Sequence, residues 1–504
     1  MFRNKKKSGS MLVLALVATG IFFIFLVGIL GLGVLQLKLN LIKVAENQAL
    51  HIAEAGVNYY RWVLYHDQED YCNGEVCILE PEYGPYGPYS YTDSSGENIE
   101  GFYELYITPP ALNGSTIVTI KSVGWVSNYP NIKRIIEVEC GIPSWSSYSV
   151  LANANMRFGE GTEVWGPLHS NSGIRFDGLA HNVISSSALD YDDPDHGGSN
   201  EFGVHTHIDP LDPLPDGNNP PQNVPERSDI FMAGRSFPDP IISFDLLDNY
   251  VNEILLEAGE NGLVLNKAGG DEGYHITLNP VDNTLNIRKV DTVTSECSQC
   301  LQYGCTRWWH GWWCTRWGCI DYKHTETNGI IHESDYMMDI DIPDNGVIFV
   351  KDRVWVDGSI DGARITILAF ENPITGNTTD IIINNDLTYT NYDGTDSIGL
   401  IAQRNITVGL YSEDDLQIDA ALIAKEGRVG RDYFDFSCGS EYIRDVITIN
   451  GSLATKERYG FAYTDGTGYQ TRNLNYDNKL TFIPPPHFPT TGEYTFISWR
   501  EIEE

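Results

Sequence analysis

The sequence predicts an α+β module, one long N-terminal helix with a small antiparallel sheet, fused to a mostly-β domain. For that domain a parallel β-helix is the expected architecture and a β-sandwich the alternative. Three observations predict this. Residues 11–37 are an uncharged apolar run that continues beyond Lys38 with apolar residues at helical spacing. Residues 102–139 hold three runs, FYELYITPP, STIVTIKSVGWV and IKRIIEVE, that alternate apolar with polar residues. Beyond Cys140 most of the chain is short apolar runs cornered by Asn, Asp and Gly. The expected divisions are 1–9, a basic head; 10–66, the helix; 67–144, the sheet; 145–240, the first part of the β-rich domain; 241–345, an insertion; and 346–504, the second part.

The helix comes first. Its uncharged stretch of 27 residues exceeds the ~20 that cross a bilayer and the apolar core of an export signal. Arg3, Lys5, Lys6 and Lys7 precede it, so the positive-inside rule places the head in the cytoplasm and the body outside. After Lys38, residues Ala45, Ala49, Ile52, Ala53, Gly56, Tyr60 and Val63 recur at three- and four-residue steps. One helix from Met11 to His66 would measure about 84 Å at ~1.5 Å per residue, roughly 50 Å more than a bilayer core needs. Something other than lipid must cover its outer half, and the small sheet is the candidate.

Charge narrows the partners. The chain has 33 Lys and Arg against 69 Asp and Glu, a formal net charge of −36, with four of the basic residues in the head. Such a body is repelled by nucleic acid and by anionic headgroups. It is expected to attract cations or to remain solvated outside a cell.

These N-terminal features resemble the type IV pilins, in particular the PilX-type minor pilins and the related K-type pseudopilins. The resemblance covers about the first 140 residues. It rests on the short basic leader, Gly9 followed by Ser10, the uninterrupted apolar helix, and the segment AENQALHIAEAGV. In that segment Ala45, Ala49, Ala53, Glu54, Ala55 and Gly56 resemble the A-x-x-A-A-E-A-G signature of the group. The resemblance implies cleavage between Gly9 and Ser10, insertion in the inner membrane before assembly, and packing among other pilin subunits through the helix. Leu14 occupies the position where major pilins carry a glutamate. Without that carboxylate a subunit does not neutralise a neighbour's buried amine, which suits a filament tip better than its shaft. The implied function is a minor-pilin-like subunit that displays a large head for adhesion to a glycan or cell-surface ligand. Two alternatives remain open: a membrane-anchored β-helix enzyme on polysaccharide, and a purely structural or priming pilin. The segment from residue 150 to 179 resembles β-helical ectodomains fused to such stalks.

In the head, each run is too short to form a core alone. Stacked coils that bury one or two apolar side chains each would suit them, although no fixed period emerges. Residues 241–265 interrupt with helical spacing and a Gly-Glu-Asn-Gly stop. The segment CSQCLQYGCTRWWHGWWCTRWGC follows at 297–319. Its Cys297, Cys300, Cys305, Cys314 and Cys319 lack the paired C-x-x-C units of a zinc site, so a disulfide knot is expected outside the cell. Five thiols cannot all pair among themselves, so Cys438, or after it Cys140, completes the set or one thiol stays free. Cys72 and Cys77 are expected to form a local disulfide across Asn-Gly, and an odd total of nine leaves at least one thiol unpaired. Trp308, Trp309, Trp312, Trp313 and Trp317, beside Arg307 and Arg316, form either a contact surface or a mini-core.

No cofactor is expected, and calcium is a candidate ion. Asp190, Asp192, Asp193 and Asp195 crowd one short run without the glycine and distal glutamate of an EF-hand. His205, His207 and Asp209 alternate and would share a face in a strand, where such a trio could bind zinc, but no further ligand is apparent and a solvated loop is the expectation. No nucleophile elbow, phosphate loop or HExxH is present, and catalysis is not expected.

Overall fold

The computed structural model describes residues 10–79, 83–215, 224–309, 313–371 and 379–502; the side chains of residues 10, 246, 248, 249, 308, 309, 313 and 335–337 also lie outside the description. The chain divides into two compact units. The first takes residues 1–109, 117–141 and 494–504, and the second takes 110–116 and 142–493.

In the first unit, helix α1 runs unbroken over Ser10–His66, 57 residues. Its two halves meet different surroundings. Large apolar residues from Met11 through Leu41 are exposed, whereas Ala45, Ala49, Ile52, Ala53, Val57, Tyr60 and Leu64 are buried. The buried stripe lies on a five-stranded antiparallel sheet ordered Tyr86–Thr92, Ile99–Thr108, Val118–Val126, Tyr129–Gly141 and Thr495–Ile502. Small residues bring helix and sheet into backbone contact. A Cβ added to Gly124 would lie 2.4 Å from the Ala53 nitrogen and 2.5 Å from the Ala49 carbonyl oxygen. One added to Gly56 would lie 2.4 Å from Ser122 Oγ. The alanine and glycine spacing of the 45–56 segment therefore has a packing role inside this unit.

Two strands of this sheet lie outside the three expected runs, and the second corrects the expected divisions. Tyr86–Thr92 carries Pro and Gly, which mask strand character but are tolerated at an edge. Thr495–Ile502, expected in the β-rich domain, pairs with Tyr129–Gly141, Trp499 facing Val138 and Arg500 facing Glu137. The 352 residues between them in sequence, 142–493, belong to the second unit.

The second unit is mostly β, and its principal ladder is parallel. Leu263–Leu265, Val347–Val350, Arg364–Ala369, Ser397–Ala402, Asp415–Ala424 and Ile443–Thr455 stack in that order. Val150–Ala152 then pairs with Ile443–Thr455, and Leu168–Ser170, Ile184–Ser186 and Arg235–Ser236 continue the stack. Two stretches remote in sequence thus share one ladder, joined where Leu453 faces Val150. Parallel pairing on this scale is not the antiparallel arrangement of a β-sandwich. Partners are unevenly spaced along the chain: Val347 faces Thr366, Thr366 faces Gly399 and Gly399 faces Ala421. This unevenness removes any sequence period.

The ladder strands are buried on both faces, which explains continuous apolar runs such as TILAF and AALIA. Ile365, Ile367, Ile398, Leu400, Ala420 and Leu422 point to one core. Leu368, Phe370, Ile401, Ala421 and Ile423 point to another, closed by Leu247, Val251, Ile254 and Ala258 of helix α2, Leu247–Glu260. The expected insertion at 241–345 is therefore partly integral. Leu263–Leu265 joins the ladder, and Gly273–Asn279 pairs in parallel with Val354–Ile360.

Candidate functional site

Three groups of residues carry chemistry. The first is the Cys/Trp segment, which forms its own two-stranded antiparallel ribbon, Cys297–Trp309 with Trp313–Thr325. Cys300–Cys319 and Cys305–Cys314 are cross-strand disulfides, and Cys297–Cys438 ties the ribbon's base to the short turn Phe436–Cys438. Gln299 Nε2 donates to the Tyr433 carbonyl at 2.7 Å beside that tie. Cys72 pairs with Cys77. Cys140 is free and buried, and burial pushes its thiol up to about 12, against a smaller opposing effect of Arg61. A fully stapled ribbon has no thiolate left for a metal.

A ribbon this thin has no interior. Leu301, Tyr303, Trp317, Ile320 and Tyr322 are exposed, Trp317 by 62% and Tyr303 by 69%. Arg307 and Arg316 face each other across the strands and are both exposed. These described side chains present an aromatic and cationic surface, not a mini-core. Trp312, and the side chains of Trp308, Trp309 and Trp313, lie outside the described residues.

The second group corrects two sequence expectations. Asp190, Asp192, Asp193 and Asp195 do not converge on one ion. Asp190 accepts from Asn200 at 2.7 Å, Asp192 is exposed, and Asp195 pairs with Arg458 at 2.8 Å. Asp193 alone turns inward, where it meets the histidines. Asp209 is exposed, because the strand carrying His205 ends at that residue and the alternation is lost. In its place the described residues bring together Asp193, His205 and His207, and also His196, Glu201 and His207, each set with ligating atoms within 4.8 Å. Burial, with the neighbouring His207, pulls His205 down to about 4, so its ring is neutral at ordinary pH. Burial also pushes Glu201 upward.

The third group was not visible in sequence, because its members are single residues on three separate strands. His275 Nε2 is 2.9 Å from Asp357 Oδ2, and its Nδ1 hydrogen-bonds Glu333. They adjoin a cavity of about 210 Å³ lined by Trp355, Asn384, Asn385 and Tyr411. Burial opposes charging of His275, but the hydrogen bonds and charges of Asp357 and Glu333 prevail and raise its pKa. Asp357, desolvated but held by His275 and Asn385, is lowered.

Of the pilin-like positions, Leu14 is exposed on α1, Glu54 is half-buried near His51, and Gly9 lies outside the described residues. Helix α1 is long and apolar enough to cross a membrane. No family model, curated protein or solved structure matches the chain.

Proposed function

We propose that the chain is a minor-pilin-like subunit of a type IV pilus or related filament, carrying a β-helical head for adhesion. The observation that supports it most is the division of α1. Its C-terminal half is covered by the small sheet, while its N-terminal half keeps an apolar surface that lipid or sister helices would cover. In this reading residues 11–37 hold the subunit in the inner membrane before assembly, with the body extracytoplasmic, and Gly9–Ser10 is the processing bond. The disulfides fit an oxidising compartment. The ladder of short parallel strands, with unequal connections at its corners, supports a parallel β-helix for the head.

Adhesion is assigned to the ribbon at 297–325, whose exposed aromatics and arginines suit stacking on sugar rings or on a cell-surface partner. The polysaccharide-enzyme alternative finds its best candidate in the His275 cavity. There both carboxylates are engaged by one imidazole, and Asp357 is lowered, the reverse of what a general acid requires. We therefore favour binding over catalysis. The test combines Y303A and W317A in the full chain expressed in its host. Surface or glycan binding should fall at least tenfold with unchanged filament number. Unchanged binding removes the adhesion assignment, and loss of filaments favours a structural or priming subunit. Mass spectrometry of the mature N-terminus checks processing: a chain starting at Ser10 supports the pilin reading.

A further inference from the structure

We propose that Asp193, His205 and His207 bind one divalent transition-metal ion of the zinc class, with Glu201 and His196 beside His207 as the adjoining donors. The argument starts from two buried atoms that lack hydrogen-bond partners, Asp193 Oδ2 and His205 Nε2. Their side chains are 3% and 0% exposed, and the two atoms face each other at 3.6 Å. His205 Nδ1 lies 3.3 Å from the Phe202 carbonyl, which can only accept, so Nδ1 carries the ring proton. Nε2 then faces the Asp193 carboxylate oxygen at 3.6 Å, beyond hydrogen-bond reach. Two buried polar atoms that face each other without a hydrogen bond are unfavourable, and a positive centre between them would satisfy both. Arg175 does not fill that role: it donates to Asp177 at 2.7 Å and approaches Asp193 Oδ2 only to 3.7 Å.

The surrounding groups fit a metal better than a proton. Two ligand atoms on a tetrahedral zinc, each ~2.0–2.1 Å from it, sit about 3.3 Å apart, close to the Asp193–His205 spacing. His207 comes from the same short segment, its ring centroid 5.1 Å from that of His205 and 4.4 Å from that of His196. Its Nε2 lies 3.7 Å from Glu201 Oε1, so a carboxylate and a third imidazole adjoin the same ligand. The ligating atoms of Asp193, His205 and His207 already lie within 4.8 Å of one another. Mixed imidazole and carboxylate donors select a borderline transition ion over calcium, which takes oxygen almost exclusively.

The supports of the ligands are themselves buried and bonded, as outer-shell groups of metal sites are. Asp177 accepts the backbone N–H of His207 at 2.7 Å. Asp212 accepts that of Thr206 at 3.0 Å and is held by Arg235, a pair almost wholly out of solvent. Asp193 spends its other oxygen on the N–H of Asp195, which leaves Oδ2 free to face the histidines. The ion would staple the acidic loop at 190–201 to the strand that carries His205. This inference does not depend on the pilin reading.

The test uses the full chain in detergent, stripped with chelator, equilibrated with zinc and assayed for bound metal by mass spectrometry. One zinc per chain is expected, with at least a tenfold loss of affinity in H207A and in D193N, and no change in D209N. Unfolding in chelator checks that H207A and D193N keep the apo fold. Cobalt added to the unmutated chain needs no variant, and should give the visible bands of a tetrahedral ion. A chain that holds no zinc, variants that hold it as well as the parent, cobalt bands of the hydrated ion, or equal retention of calcium would each overturn the proposal.

Discussion

His275 and Asp357 share a 2.9 Å hydrogen bond between adjacent parallel strands, with Glu333 on the opposite side of the ring. The charged groups around the imidazole are Asp357, Glu333, Arg288, which pairs with Glu333 at 3.2 Å, and Glu413, on whose carboxyl Asp357 acts. The net effect raises the folded pKa above the ordinary 6.5. Between those two values the folded chain binds more protons than the unfolded one, so stability falls as pH rises. The contribution is complete below about pH 6.5 and is lost as pH climbs through the raised pKa. Denaturant unfolding across that window should show the loss in the parent chain and a flatter profile in His275→Gln. A parallel profile for the two proteins would reject the assignment.

Gly124 is predicted to tolerate no side chain. The atoms that a Cβ would meet are backbone atoms of α1, which cannot rotate away. Gly124→Ala should destabilise the first unit by about 1–3 kcal/mol, measured by denaturant unfolding, as overpacking does elsewhere.

Arg364 is buried and donates to the carbonyls of Asn113, Gly394, Ile483 and Pro484. Burial lowers its pKa to about 10, which still leaves it charged at neutral pH. Arg364→Met would strand four carbonyls, at ~1–3 kcal/mol for each that stays dry, so a loss of at least about 3 kcal/mol is expected. Thermal unfolding of the full chain measures it.

The bond between Cys297 and Cys438 closes a loop across 141 positions. Cys438→Ser should cost about 3–5 kcal/mol in the second unit if loop entropy governs. Limited proteolysis should then cut first within 297–325, since the ribbon loses its tie while keeping its two internal staples.

Much of the first unit was legible because its signals are local: an apolar run, a helical stripe, alternating strands. The Cys72–Cys77 bond was legible for the same reason, its partners lying five positions apart. The choice of Cys297 as partner of Cys438 was not, because spacing ranks none of the five clustered cysteines above the others. The acidic run and the H-x-H pair were both visible, yet sorted into separate sites. Asp193 reaches His205 only after the chain between them has turned back, with Asp190–Tyr191 pairing on Glu201–Phe202. His275, Glu333 and Asp357 carry no local pattern at all. Register between distant strands brings them together.

The placement of Thr495–Ile502 has a consequence for biogenesis. The small sheet lacks its fifth strand until residues 495–502 have been synthesised, so the first unit stays incomplete while residues 142–493 of the second are made. Until then Tyr129–Gly141 presents its unpaired side as an open sheet edge, a template for pairing with another chain.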